Sequence, residues 1–232
     1  MTFHGLTVAV TGAGRDLGRR LALAFADGGA EVLLAARDPA AAEETAALIR
    51  AGGRGTARAF TCDLASPDSV RAFATAVAEH TPHVDVLINN GAPYLHGELG
   101  DATDDEIVAT ISAGATGTLL LTRHLLPLLK ASPRPDVVTI VSAAGEPGQH
   151  RSEAHPAFYA AKHAQAGFAE ILSSRLRGEG VRVISLYPPD FVQEGERSVG
   201  APLTAASVAA CVLFAVGQPR DCFIREFRFE QI

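Results

Sequence analysis

Seven apolar runs recur along this chain with helix-length segments between them, and that alternation restricts the fold more than any single residue does. The runs are Leu6–Thr11, Glu31–Ala36, Thr56–Cys62, Val84–Asn89, Asp136–Ser142, Val181–Tyr187 and Cys222–Phe229. Near-continuous runs rich in Val, Ile and Leu, rather than alternating ones, suit strands covered on both faces. The segments between them, Leu17–Gly28, Pro39–Ala51, Pro67–Glu79, Asp104–Lys130, Ala157–Gly178 and Ala205–Val216, are long enough for the crossover helices that parallel strands require. Ser66-Pro67-Asp68 marks a helix start and Gly28-Gly29 a helix stop. The expectation is an α/β chain: a doubly wound sheet of about seven parallel strands with helices on both faces. One long irregular stretch, Pro188–Leu203, sits where a lid over an active site would lie.

Composition bounds the partners. At 232 residues and 47% hydrophobic content the chain can bury one generous core, and residues 1–232 need no second domain. A net charge of −6 offers no broad basic footprint for nucleic acid or an anionic membrane, which points to small-molecule partners. Met1-Thr2-Phe3-His4-Gly5 runs straight into a strand-like segment without the pattern of a signal peptide. Arg123 and His124 interrupt Leu119–Leu129, and Ala205–Val216 is too short to span a bilayer. These features lead to the expectation of a soluble cytoplasmic protein. Cys62, Cys211 and Cys222 are too few and too scattered for a disulfide framework or zinc cluster, and read as buried thiols.

The motifs fall at the carboxyl ends of the apolar runs, the edge where ligands bind in open α/β sheets. The first run passes through Thr11-Gly12-Ala13-Gly14-Arg15-Asp16-Leu17-Gly18 into a helix. Such a turn aims backbone N–H groups and a helix N-terminus at a pyrophosphate. The second run ends in Ala35-Ala36-Arg37. An acidic residue there binds the ribose hydroxyls of NAD, whereas an Arg accommodates the extra phosphate of NADP. Cys62-Asp63-Leu64, Asn89-Asn90-Gly91-Ala92, Ile140-Val141-Ser142-Ala143-Ala144-Gly145 and Pro188-Pro189 close four later runs. Phe158-Tyr159-Ala160-Ala161-Lys162 opens a helix, and Lys162 is one of only two lysines beside eighteen arginines. Between these landmarks, Glu146–Pro156 carries His150, Glu153 and His155 at a spacing that fits no metal site, so it reads as a solvated polar loop.

In this order and spacing the motifs resemble the short-chain dehydrogenase/reductase family, from the first strand to Phe223-Ile224-Arg225-Glu226-Phe227. The resemblance implies a single Rossmann-type NAD(P)-binding domain, NADP(H) as cofactor, and hydride transfer between nicotinamide and a carbonyl or alcohol carbon of a small molecule. It also implies a homodimer or homotetramer. Cofactor binding falls to Gly12, Gly14, Arg15, Asp16, Leu17, Gly18, Arg37, Asp63, Leu64, Asn89, Gly91, Lys162 and Pro188. Arg15 faces the same ribose phosphate as Arg37, Asp63-Leu64 brackets the adenine, Ser142 hydrogen-bonds the substrate carbonyl, and Lys162 holds the nicotinamide ribose.

Set against that pattern, this chain departs at several places. Asp16 stands at the middle glycine of the phosphate turn, the last two residues of Asn89-Asn90-Gly91-Ala92 are exchanged, and Pro189 replaces a glycine. Gly114, three residues before Gly117, takes the place of an asparagine that supports a proton-relay water. Phe158 occupies the position of the proton-donating tyrosine, four residues before the lysine. A phenyl ring cannot give or take a proton, and loss of a general acid costs roughly two to four orders of magnitude in rate. Tyr159 is one residue late, which on a helix turns its side chain by about 100° and lifts it by about 1.5 Å. The catalytic candidates are therefore Ser142, Phe158, Tyr159 and Lys162, with Tyr94 and His96 as further acids reaching in from the loop after the fourth strand. Beside a reductase stand two other readings: a nucleotide-binding sensor without turnover, and non-redox chemistry such as dehydration or cyclisation.

Overall fold

The computed structural model describes residues 1–149 and 152–230. Seven strands form one sheet in the order β3-β2-β1-β4-β5-β6-β7, all pairs parallel. They are β1 Thr7–Thr11, β2 Glu31–Ala36, β3 Thr56–Thr61, β4 Val86–Asn89, β5 Asp136–Ile140, β6 Arg182–Tyr187 and β7 Glu226–Arg228. Seven α-helices connect or follow them: α1 Asp16–Asp27, α2 Pro39–Gly52, α3 Pro67–His80, α4 Asp104–Ile111, α5 Thr118–Lys130, α6 Pro156–Leu176 and α7 Ala205–Gly217. The order reverses at β1 and β4, and that switch point opens a crevice at the carboxyl ends of the strands.

Side chains alternate across the sheet into two cores. Val8, Val10, Val32, Leu34, Ile88 and Ile184 pack beneath α1, α2 and α7. Ala9, Leu33, Leu87, Val137 and Val183 face α3, α5 and α6 on the other side. Because both faces are covered, β1, β4, β5 and β6 are buried along their whole length. The edge strand β3 differs from the expectation of a continuous run: its burial alternates, and Thr56, Arg58 and Phe60 share the register of one face. Strand β7 shrinks to three residues at the other edge.

The helices begin where their caps lie. Asp38, Ser66, Thr103 and Thr204 each accept a hydrogen bond from a first-turn backbone N–H, and Thr103 with Glu106 closes a reciprocal capping box. The single helix expected over Asp104–Lys130 is interrupted by a π turn, Ser112–Gly117, between α4 and α5. Gly117 sits in that turn because a Cβ there would lie 2.1 Å from the Leu64 carbonyl oxygen. His155 corrects the expectation of a solvated polar loop: it is fully buried, and its Nδ1 accepts from the Ala157 N–H at 3.0 Å to cap α6. His150 lies outside the described residues. Cys62 is buried as expected, while Cys211 and Cys222 are only half-buried. Among the described residues no helix is long and apolar enough to cross a membrane.

Candidate active site

The carboxyl ends of β1 through β6 surround one cleft of about 860 Å³. At its nucleotide end the turn after β1 is shaped by contacts that allow no larger residues. A Cβ on Gly18 would fall 2.0 Å from the Gly12 carbonyl oxygen, and one on Gly14 would lie 2.8 Å from Ala41 Cβ on α2. Gly12 itself has φ +65, and Asn90 and Gly91 come against it from β4. Thr11 ties the two loops together: its Oγ1 accepts from the N–H of Asn90 and of Gly91, and Asn90 Nδ2 donates to the Thr11 carbonyl. The turn and the amino end of α1 thus form a cradle with space where side chains would otherwise stand, which fits a dinucleotide pyrophosphate.

Asp16 opens α1 with φ +51, a left-handed conformation that glycine adopts at little cost and Asp tolerates better than most residues. Its carboxylate is half exposed and lies 3.5 Å from Arg15 Nε, and the residue is part of the cleft lining. Arg15 is 87% exposed, and Arg37, at the end of β2, is also exposed; both line the cleft. Across from them, Asp63 Oδ1 accepts from the Ala65 N–H, and Ser66 rather than Asp63 caps α3. Leu64 wedges between Gly91 and Gly117, both of which would collide with it if they carried a Cβ.

At the opposite end of the cleft, Ser142 follows β5 with φ +114, a costly conformation for a residue with a side chain. It is imposed by its neighbours: the N–H of Ser142 donates to the Leu186 carbonyl, and that of Ala143 to the Pro188 carbonyl. Its Oγ accepts from the Ala144 N–H at 3.2 Å, which leaves the hydroxyl proton for a ligand in the cleft. Lys162 reaches the same region from α6 and is 5% exposed. Its Nζ donates to the Ile140 carbonyl at 2.9 Å and to Gln165 Oε1 at 3.0 Å, and it lies 5.4 Å from the centre of the Phe158 ring. Burial pulls this ammonium down to about 7 from an ordinary 10.5. Phe158 is 8% exposed, lines the cleft, and packs its ring 5.1 Å from that of Tyr94.

Three residues expected at the site stand elsewhere. Tyr159 is outside the cleft lining; its hydroxyl donates to the Ser152 carbonyl and accepts from the Ser152 N–H, both at 3.2 Å. Divergence of neighbouring side chains on a helix sends it there. Asn89 is buried behind the cleft, where its Nδ2 donates to Thr122 Oγ1, and Asn90 lines the cleft instead. His96 pairs with Glu153 and is also absent from the lining, whereas Tyr94 is part of it. Pro188, Pro189, Asp190, Phe191 and Gln193 bring the start of the Pro188–Leu203 stretch to the cleft edge. The sequence reading missed Gln165, which is 2% exposed, outside the cleft lining, and bonded directly to Lys162.

A family model for short chain dehydrogenases matches residues 6–201. Retinol dehydrogenase 13 of Mus musculus is 34% identical over 198 residues, which cover 81% of this chain and 59% of that protein. The chain also spans only 52% of Dehydrogenase/reductase SDR family member 13 of Bos taurus, at 34% identity. Sepiapterin reductase of Chlorobaculum tepidum is 27% identical, with 94% of this chain and 92% of that one covered. Among solved structures, a metagenomic short-chain oxidoreductase in complex with NADP superposes with a TM-score of 0.86 at 28% identity, covering 100% of this chain and 99% of that one. With the family model matched across most of its length and the cleft built where that fold binds its ligands, the chain belongs to the short-chain dehydrogenase family.

Proposed function

We propose that the protein is an NADP(H)-dependent oxidoreductase that acts on a carbonyl or alcohol carbon of a small molecule. One observation carries this reading: a single cleft joins the glycine cradle and two arginines at one end to Ser142 and Lys162 at the other. Arg15 and Arg37 hold the ribose phosphate through charge-assisted, bidentate bonds. Bound nicotinamide supplies the hydride. Ser142 orients the substrate oxygen by donating it a hydrogen bond, Lys162 holds the nicotinamide ribose, and Asp63 with Leu64 flanks the adenine. The Pro188–Leu203 stretch closes over the substrate as a lid; its start already lines the cleft, and Arg20 of α1 pairs with Glu194 within it.

The solved relative that carries NADP supports the cofactor choice, and so does Arg37 directly after β2, since the carboxylate beside it, Asp38, caps α2. The test is a titration with NADPH and NADH followed by NADPH consumption across a panel of aldehydes and ketones. Phe158 supports a second reading, because the cleft holds a phenyl ring where a proton donor is expected. On that reading the protein binds the nucleotide without redox turnover, and tight NADPH binding with no consumption across the panel decides for it.

The three unpaired cysteines suit a reducing, cytoplasmic setting. Val108, Ile111 and Leu119 along α4 and α5, with Ile171 on α6, leave apolar side chains exposed that a second copy covers in a homodimer or homotetramer. A monomer mass by light scattering at micromolar concentration rules that assembly out.

A further inference from the structure

We infer that Gln165 is a positioning residue for Lys162, its amide bridging α6 to the π turn at Gly114, where that turn carries no side chain. The inference rests on the reading above, in which Lys162 holds the nicotinamide ribose. Gln165 Oε1 accepts from Lys162 Nζ at 3.0 Å, and its Nε2 donates to the Gly114 carbonyl at 2.7 Å and to Thr118 Oγ1 at 3.2 Å. Thr118 Oγ1 in turn donates to the Gly114 carbonyl at 2.9 Å.

The orientation of the amide follows from this arrangement. Nε2 faces two oxygen acceptors, so only Oε1 can meet the ammonium; a flipped amide would set its NH2 against the NH3+ and its oxygen against a carbonyl. Position 114 cannot supply the polar group itself. A Cβ there would lie 2.9 Å from Ala161 Cβ, so α6 and the π turn approach too closely for a side chain. The bridge is therefore built from α6, one helical turn beyond the lysine. Together with the Ile140 carbonyl and the Phe158 ring, it holds Nζ from three directions.

A Gln that only joined two helices would leave the lysine indifferent to its replacement, and the titration of Lys162 tells the two roles apart. The chain has two lysines, Lys130 and Lys162, so carbon-13 labelling of lysine gives two ε-carbon resonances, assigned by Lys130→Arg. The full chain is titrated without nucleotide as wild type, Gln165→Leu and Gln165→Glu. Gln165→Leu removes an acceptor that favours the charged amine, and the Lys162 midpoint falls by about one pH unit. Gln165→Glu puts a carboxylate in the same place, and the midpoint rises by about one unit or more. A midpoint unmoved in both variants overturns the inference, whatever happens to the melting temperature. If the Leu variant fails to fold, the nearly isosteric Glu variant decides alone: a rise supports the bridge and no rise overturns it. The lysine resonance is readable whether or not the wild type binds NADPH, so failure of the oxidoreductase reading and failure of this one show up separately.

Discussion

Replacing Phe158 by Tyr puts a phenol on the ring that lines the cleft between Lys162 and Tyr94. A positioned general acid contributes about 10²–10⁴-fold, or about 2.7–5.5 kcal/mol off the barrier. The lower end applies here. Two of the lysine's protons are engaged by the Ile140 carbonyl and Gln165 Oε1, so the ammonium supports a new phenol through its charge rather than by a direct bond. The expected outcome is a rise in kcat of about a hundredfold with little change in NADPH affinity. The added hydroxyl faces the cleft, so it finds water or substrate and costs about 1 kcal/mol of stability or less. Steady-state NADPH consumption with the carbonyl panel measures the gain, and Tyr159→Phe is the control. That control loses two bonds to Ser152, which like Tyr159 is outside the cleft lining, and keeps its rate. A neutral Phe158→Tyr paired with loss of turnover in Tyr159→Phe refutes the placement of the donor position at residue 158. If both variants behave as wild type and wild type turns over, the proton comes from elsewhere, and Tyr94→Phe is the next variant to assay.

Two more expectations follow from the same cleft. NADPH binds at least about tenfold tighter than NADH, worth about 1.4 kcal/mol, and Arg37→Asp reverses much of that preference; equal dissociation constants in wild type contradict the phosphate role of the arginine pair. Lys162 makes stability depend on pH in the direction opposite to a salt-bridged base: its folded value of about 7 lies below its ordinary 10.5, so between those values the unfolded chain binds the extra proton. Stability without nucleotide therefore rises from pH 7 towards 10.5, by an amount on the order of a few kcal/mol, and a denaturant series on Lys162→Met that keeps the full slope shows that another group is responsible.

How far the sequence disclosed this molecule depended on the range over which each feature is determined. Strands buried on both faces are written locally, as runs such as Val8–Val10 and Val183–Leu186, and all seven were legible; β3 looked continuous in sequence but alternates because an edge strand is covered less evenly. Glycines with a steric duty were legible too, since Gly12, Gly14 and Gly18 sit in one short turn. The choice between Asn89 and Asn90 was not. Adjacent residues at a strand end point to opposite sides, and only the pairing with Thr11 on one side and Thr122 on the other tells them apart. The π turn escaped because a shift in hydrogen-bond register leaves the apolar pattern of Asp104–Lys130 nearly intact. Gln165 escaped because its meaning lies in Gly114, 51 positions away.

The departures from the family pattern at the catalytic end belong together in space. Gly114 lies against Ala161 of α6, Gln165 closes the gap that this contact leaves, and Lys162 is held between Gln165 and the Phe158 ring one turn before it. A site decaying without constraint loses groups singly and leaves buried polar atoms unsatisfied. Here the lysine ammonium, the glutamine amide and the Gly114 carbonyl all have partners, and among the described residues the orphans nearest them are Asn89 Oδ1 and Thr139 Oγ1, on paired residues of β4 and β5. At the nucleotide end Asp16 replaces a glycine, yet it takes the left-handed conformation that glycine would have taken, so the turn is unchanged. The two ends of the cleft are therefore separable in this chain: the glycine cradle keeps its geometry, and at the other end the lysine is held by an amide and lies beside a phenyl ring rather than a phenol.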